Sequence, residues 1–287
     1  MTIVVISWAV NFAYAESKKL DQPIFVDHYI DVWWEEDPYF TIYYLANKED
    51  RSTIQWVELE DWQGVPERNG MDVEFEEVDQ FGRYSLRRVT LQMNGLPEIT
   101  EAKEFREITA YFTEGPPVRA EIGQITVQPP YDTKQLFREH PHYDLNYKKT
   151  QLTTEEDITV ESVTTSFDEV LQNQFFIKLY MRERSLDQRT LPEGMNVYEE
   201  KFWQDIPGID ARAVQFPFDM KKGERLTVTG TANVEMSSVL QMDIEVAGKT
   251  AENEPFAVRT EYRSEPQFTG QEIKQLIDKR TEAEANE

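Results

Sequence analysis

Residues 106–127 (REITAYFTEGPPVRAEIGQITV) constrain the fold more than any other stretch of the chain. Ile108, Ala110 and Phe112 alternate with polar or half-polar neighbours, the two-residue period of a strand with one buried face. Glu114, Gly115, Pro116 and Pro117 then reverse the chain. Beyond the turn, Val118, Ala120, Ile122, Gln124 and Thr126 share one face. Arg119, Glu121, Ile125 and Val127 share the other, and Gly123 marks a bulge or kink. Strand, tight turn, strand is a hairpin, so this part of the chain is committed to sheet.

The same pattern runs through the first half. Residues 25–34, 39–46 (YFTIYYLA), 54–59, 73–78 and 84–93 read as strands. Polar or Gly/Pro-bearing turns separate them at 35–38, 47–52, 64–70 and 94–95. Short strands about every 8–12 residues predict a β-sandwich. Residues 128–150 break the rhythm. Pro129 and Pro130 stiffen the segment, Asp132 can cap a short helix over 133–139, and Pro141 stops that helix.

The alternation resumes at 158–163, 174–181, 213–218, 225–234, 238–246 and 256–262. Within 174–181, Phe175, Ile177, Leu179 and Met181 lie on one face; residues 187–210 are long and irregular. One helix is marked clearly. Thr269, Gly270, Gln271 and Glu272 form a capping box, and Phe268 and Ile273 are spaced as a hydrophobic staple. Ile273, Leu276 and Ile277 make a narrow apolar stripe, expected to rest on the second domain. The expected architecture is all-β: two tandem, immunoglobulin-like β-sandwich domains and a short C-terminal helix. The first domain is expected over 16–128, a connector over 129–150, and the second domain with the helix over 151–287.

Residues 1–15 (MTIVVISWAVNFAYA) stand apart. An apolar run at 3–10 leads to Ala13-Tyr14-Ala15, a small-x-small tripeptide, and the chain then turns polar at Glu16, Ser17, Lys18 and Lys19. That is the form of an export signal's apolar core and cleavage site. No basic residue precedes Ile3, so a translation start further upstream is one expectation; the competing one is a buried first strand. The run is too short to span a bilayer, which takes about 20 apolar residues. The expected location is extracytoplasmic, with no stable membrane insertion once the leader is removed.

Composition then narrows the partners. Cysteine is absent, which excludes disulfides, thiolate metal ligands and a thiol nucleophile. The net charge is -24, from 54 acidic and 30 basic residues. The acid is spread evenly, since residues 1–128 hold 24 of the acids and 11 of the bases. A surface of this sign disfavours nucleic acid and anionic lipid, both of which need a basic footprint. No cofactor is expected, because neither a phosphate loop nor a dinucleotide fingerprint occurs. No Gly-x-Ser-x-Gly elbow occurs either, and the chain has three histidines in all. The expectation is a non-enzymatic binding or structural protein whose partner is a protein or glycan at the cell surface.

Two residue sets are candidate sites. Parity along the strands puts Trp33, Trp56 and Trp62 on an outer face with carboxylates between them. Flat rings beside carboxylates suit sugars, whose apolar ring faces stack while their hydroxyls donate to the acids. The competing reading is that these rings fill the core. His140, His142 and Asp144 sit at i, i+2 and i+4, so an extended backbone points all three one way, a spacing open to a divalent ion. Pro141 interrupts that set and no fourth ligand is marked, so a solvated loop competes. The acidic runs at 35–37, 58–61, 74–79 and 155–157 match no calcium-loop consensus and read as solvated faces.

Overall fold

The computed structural model of the chain describes residues 18–34, 39–60, 62–67, 75–93, 99–130, 136–143, 148–182, 203–233 and 236–284. The leader-like segment, 1–15, lies outside them. The chain forms two compact units, and neither is contiguous in sequence. Unit 1 is Met1–His28, Trp34–Thr126 and Phe268–Glu287; unit 2 is Tyr29–Trp33 and Val127–Gln267.

The first nine strands are β1 (Ile24–Phe25), β2 (His28–Trp33), β3 (Tyr39–Asn47), β4 (Ile54–Leu59), β5 (Trp62–Pro66), β6 (Glu76–Phe81), β7 (Tyr84–Met93), β8 (Lys103–Phe112) and β9 (Val118–Gln128). In unit 1 the order is β1-β3-β7-β5-β4-β8-β9, with β6 added on β7. Alternation sets most of what is buried, with one shift of phase on β8 at the exposed Arg106 and Glu107. Val57 and Leu59 of β4, and Phe105, Ile108, Ala110 and Phe112 of β8, face the core with Tyr44, Leu91 and Met93. The hairpin expected over 106–127 is β8 and β9. Gly123 sits at φ 81°, and a side chain there would meet the His28 carbonyl at 2.5 Å, so the kink needs a glycine.

Unit 2 is a sandwich of two sheets. Its remaining strands are β10 (Phe137–Tyr143), β11 (Lys148–Thr154), β12 (Ile158–Thr165), β13 (Phe175–Tyr180), β14 (Ile209–Asp210), β15 (Phe218–Met220), β16 (Arg225–Ala232), β17 (Val239–Thr250) and β18 (Pro255–Ser264). One sheet runs β2-β17-β12-β15 with β18 on β17, and the other runs β10-β11-β16-β13-β14. Leu152, Val160, Leu179, Leu226, Val228, Met242 and Val246 fill the space between them. The all-β class with a short terminal helix, α1 (Gly270–Glu284), is the one the alternation predicts. Among the described residues no helix is long and apolar enough to cross a membrane.

Four local readings are corrected. Residues 137–139, expected in a capped helix, lie in β10, which pairs with β11 from Phe137↔Thr154 to Tyr143↔Lys148. Leu136 and Phe137 are buried, and a full ladder plus that burial outweighs one weak cap. The expected strand over 25–34 is two strands, and Tyr29–Trp33 belongs to unit 2, where the Tyr29 ring packs edge-on against Phe167 at 5.6 Å. Residues 213–218 are not a strand. Ala211–Ala213 form one 3-10 turn capped by Asp210, and β15 begins only at Phe218. Finally, α1 does not rest on unit 2: Ile273 packs with Ile24 and Leu45, joined by Phe268, Leu276, Phe81 and Tyr84, all of unit 1.

The cap of α1 is as expected. The Glu272 amide donates to the Thr269 hydroxyl at 3.3 Å, and the Thr269 amide donates to the Glu272 carboxylate at 2.6 Å.

Candidate functional site

The structure turns Trp62 into the core rather than onto an outer face. β4 and β5 pair with Val57 opposite Gly64 and Leu59 opposite Trp62. Cross-strand partners share a face, so Trp62 follows Leu59 inward. It is buried, 4.8 Å from the Phe105 ring and 6.3 Å from the Trp34 ring. Counting parity straight through the turn at Glu60 reverses this result, which is why Trp62 was expected outside. Trp33 belongs to unit 2. Its indole N–H donates to Asp243 Oδ2 at 2.7 Å, and the Arg259 guanidinium lies 3.6 Å from its ring centroid. Arg259 Nε in turn donates to Glu245 at 2.7 Å. Trp33 is thereby clamped between β17 and β18, half-buried.

Trp56 is the member of the trio that remains on an outer sheet face. It is half-buried and stacks on Tyr111, its cross-strand partner on β8, with centroids 4.5 Å apart and planes 15° from parallel. Glu58, two residues on, pairs across from Thr109 on the same face. The Tyr111 hydroxyl donates to Glu58 Oε2 at 2.9 Å. That bond, with burial and the charge of Glu58 adding to it, holds the Tyr111 hydroxyl above the usual phenol range. The inward set Ile108, Ala110 and Phe112 already implied that Thr109 and Tyr111 point out. What sequence could not supply was the register that sets Tyr111 against Trp56.

Beside this pair runs an open groove of about 550 Å³, lined by Glu58, Glu60, Glu104, Arg106, Glu107 and Arg119 together with Ile108 and Thr109. Arg119 donates through Nε to Glu107 at 2.7 Å, and Arg106 lies 3.8 Å from Glu104. Both cations therefore face carboxylates of the groove itself, and Glu58 and Glu60 supply the excess negative charge.

The metal-spaced set lies only partly within the described residues. His140 is exposed on β10 opposite Gln151, and His142 pairs in register with Lys149; Asp144 lies outside the described residues. Among those described, no three His, Cys, Asp or Glu side chains converge as a metal site requires. His28 is fully buried. Its Nε2 accepts the Tyr43 amide at 2.8 Å, and burial pushes its pKa down to about 3, so it is a neutral core residue. In unit 2, Asp31 takes the Ser166 hydroxyl, and burial raises the pKa of both Asp31 and Asp243.

No protein family matches the chain, and no curated protein matches it in sequence. Among solved structures, the C-terminal domain of the antigen I/II-family protein AspA of Streptococcus pyogenes is 9% identical. That match covers 85% of this chain and 99% of that one, at a TM-score of 0.22. The collagen adhesin of S. aureus is 9% identical over 84% of this chain and 93% of its own, at 0.19. A structure described as manganese lipoxygenase of Gaeumannomyces graminis with part of zonadhesin of Komagataella pastoris gives 9% over 86% and 94%, at 0.24. Likenesses of this size fix neither a ligand nor a mechanism.

Proposed function

We propose that the chain is an exported, non-enzymatic binding protein of the cell surface or envelope. The observation that carries the reading is the apolar run at 3–10 ending in Ala13-Tyr14-Ala15, set before an acidic, cysteine-free β body. Two units of antiparallel sheet support it, because stable sheets present side chains on fixed outer faces with little cost in reorganisation on binding. The groove of unit 1 is a surface suited to contact.

The test is fractionation of expressing cells followed by N-terminal sequencing of the recovered protein. Product outside the cytoplasm that begins at Glu16 supports the reading. Product retained in the cytoplasm with Met1 intact refutes the location. Hydrolysis of a cell-wall or polysaccharide substrate by pure protein, lost on one carboxylate change, refutes the non-enzymatic half.

A second reading, glycan binding, keeps one specific support: the Trp56 ring lies beside the Tyr111–Glu58 hydrogen bond, an aromatic face next to a polar acceptor. Titration of Trp56→Phe and wild type with a glycan panel, read by tryptophan fluorescence, tests it.

A further inference from the structure

We propose that the outer face of β4, β8 and β9 in unit 1 docks an extended basic peptide, seating an arginine or lysine side chain against Trp56 and between Glu58 and Glu60. The inference rests on the reading of the chain as a binding protein and names the partner chemistry of its groove.

Three features converge on that occupant. The first is shape. The groove is open, about 550 Å³, and lined by residues of β4, β8 and β9, so alternate side chains of an extended segment can meet alternate outward residues of the sheet at the same period. The second is the aromatic pair. Stacking on Tyr111 holds Trp56 by one face and positions its ring beside a carboxylate, an arrangement that serves a planar guanidinium through both charge and ring contact. The third is charge. Four glutamates and two arginines line the groove, and the two arginines already face Glu107 and Glu104. The net charge of -24 on the whole chain also draws cations toward it at low salt.

The alternatives fit less well. A divalent ion needs several converging oxygens, and no three acidic or histidine side chains converge among the described residues. A neutral glycan would use the ring and could donate hydroxyls to Glu58, but it would gain no charge attraction from the excess negative charge at Glu58 and Glu60.

The experiment uses the full chain and a fluorescent peptide of alternating arginine and serine, with anisotropy read at low salt and at about 0.15 M. Expected is saturable binding that weakens with salt. Glu58→Gln and Trp56→Ala should each weaken it about 5- to 10-fold, as loss of one close charge or one ring contact implies. Glu252→Gln, an exposed acid on a turn of unit 2, should change it less than about 2-fold, the size of long-range screening. Circular dichroism of each variant should match wild type.

Equal loss in Glu252→Gln and Glu58→Gln would overturn the proposal, leaving only diffuse attraction. So would unchanged affinity for a peptide with serine in place of arginine. Saturable binding of a neutral oligosaccharide, lost in Trp56→Ala and indifferent to Glu58→Gln, would assign the face to glycans instead. Because the measurement uses purified protein, its failure is separate from a failure of the export reading, which fractionation decides alone.

Discussion

Arg87 and Arg88 are neighbours on β7, and replacing each by methionine should have opposite consequences. Arg87 is fully buried. Its Nε donates to Ser85 Oγ at 2.9 Å, and its Nη2 donates to the carbonyls of Asn47 at 3.0 Å and Asp50 at 2.6 Å. Nη1 reaches the Ser52 carbonyl at 3.4 Å, and the guanidinium lies 3.6 Å from the Phe75 ring centroid. One side chain thus ties down the turn after β3. Methionine keeps most of the stem volume, so the cavity term is small. It leaves the Asp50 and Ser52 carbonyls without that donor, at about 1–3 kcal/mol each where water is excluded, while the Asn47 carbonyl keeps the Asp50 amide at 3.0 Å. These carbonyls are only partly buried, and removing the arginine also removes the cost of burying its charge, so the net is about 3 kcal/mol. Arg88 forms an exposed pair with Glu76, its side chain 31% accessible, and such pairs contribute about 0–1 kcal/mol. In urea, with a slope of about 2 kcal/mol/M, Arg87→Met should move the unit 1 midpoint down by about 1.5 M and Arg88→Met by less than about 0.5 M. Arg87→Lys should recover only part, since one ammonium cannot span the fork. Equal midpoints for the two methionine variants would refute the argument. So would full rescue by lysine.

Trp62→Ala should cost about 3–5 kcal/mol, because the ring is buried against Phe105 and Trp34, while Trp56→Ala should cost clearly less; thermal unfolding separates them. Burial raises the pKa of Asp31 and of Asp243 in the folded protein, so the folded state holds their protons more tightly than the unfolded chain does. That contribution is fully present below the ordinary carboxylate range near 4 and is lost as pH rises through the folded values. Asp31→Asn should therefore gain on wild type in stability from about pH 4 toward pH 7, as denaturant titrations at each pH would show; a gap that narrows over that range contradicts the assignment. Thr269→Ala should cost about 1 kcal/mol through the lost cap and speed amide exchange in the first turn of α1, whereas Ile273→Ala should release the whole helix, both visible by hydrogen exchange.

What the sequence determined here is what a period and a local turn can carry. Alternation committed 106–127 to a hairpin, and Thr269 with Glu272 committed the helix to its start, because each depends on residues a few positions apart. The kink at Gly123 was legible for the same reason. The tertiary structure decided everything that depends on which distant strand lies alongside. Parity carried through the turn at Glu60 placed Trp62 outside, and only the Leu59↔Trp62 register brought it in. Nothing local distinguishes Arg87 from Arg88, yet one is sealed beneath a turn and the other pairs at the surface. Tyr29–Trp33 reads like any first-domain strand but joins unit 2, and α1 carries an apolar stripe that does not name the sheet it covers. The physical reason is common to all four. A strand or a stripe specifies that one face must be buried, while the identity of the covering surface depends on long-range pairing that burial pattern alone leaves open.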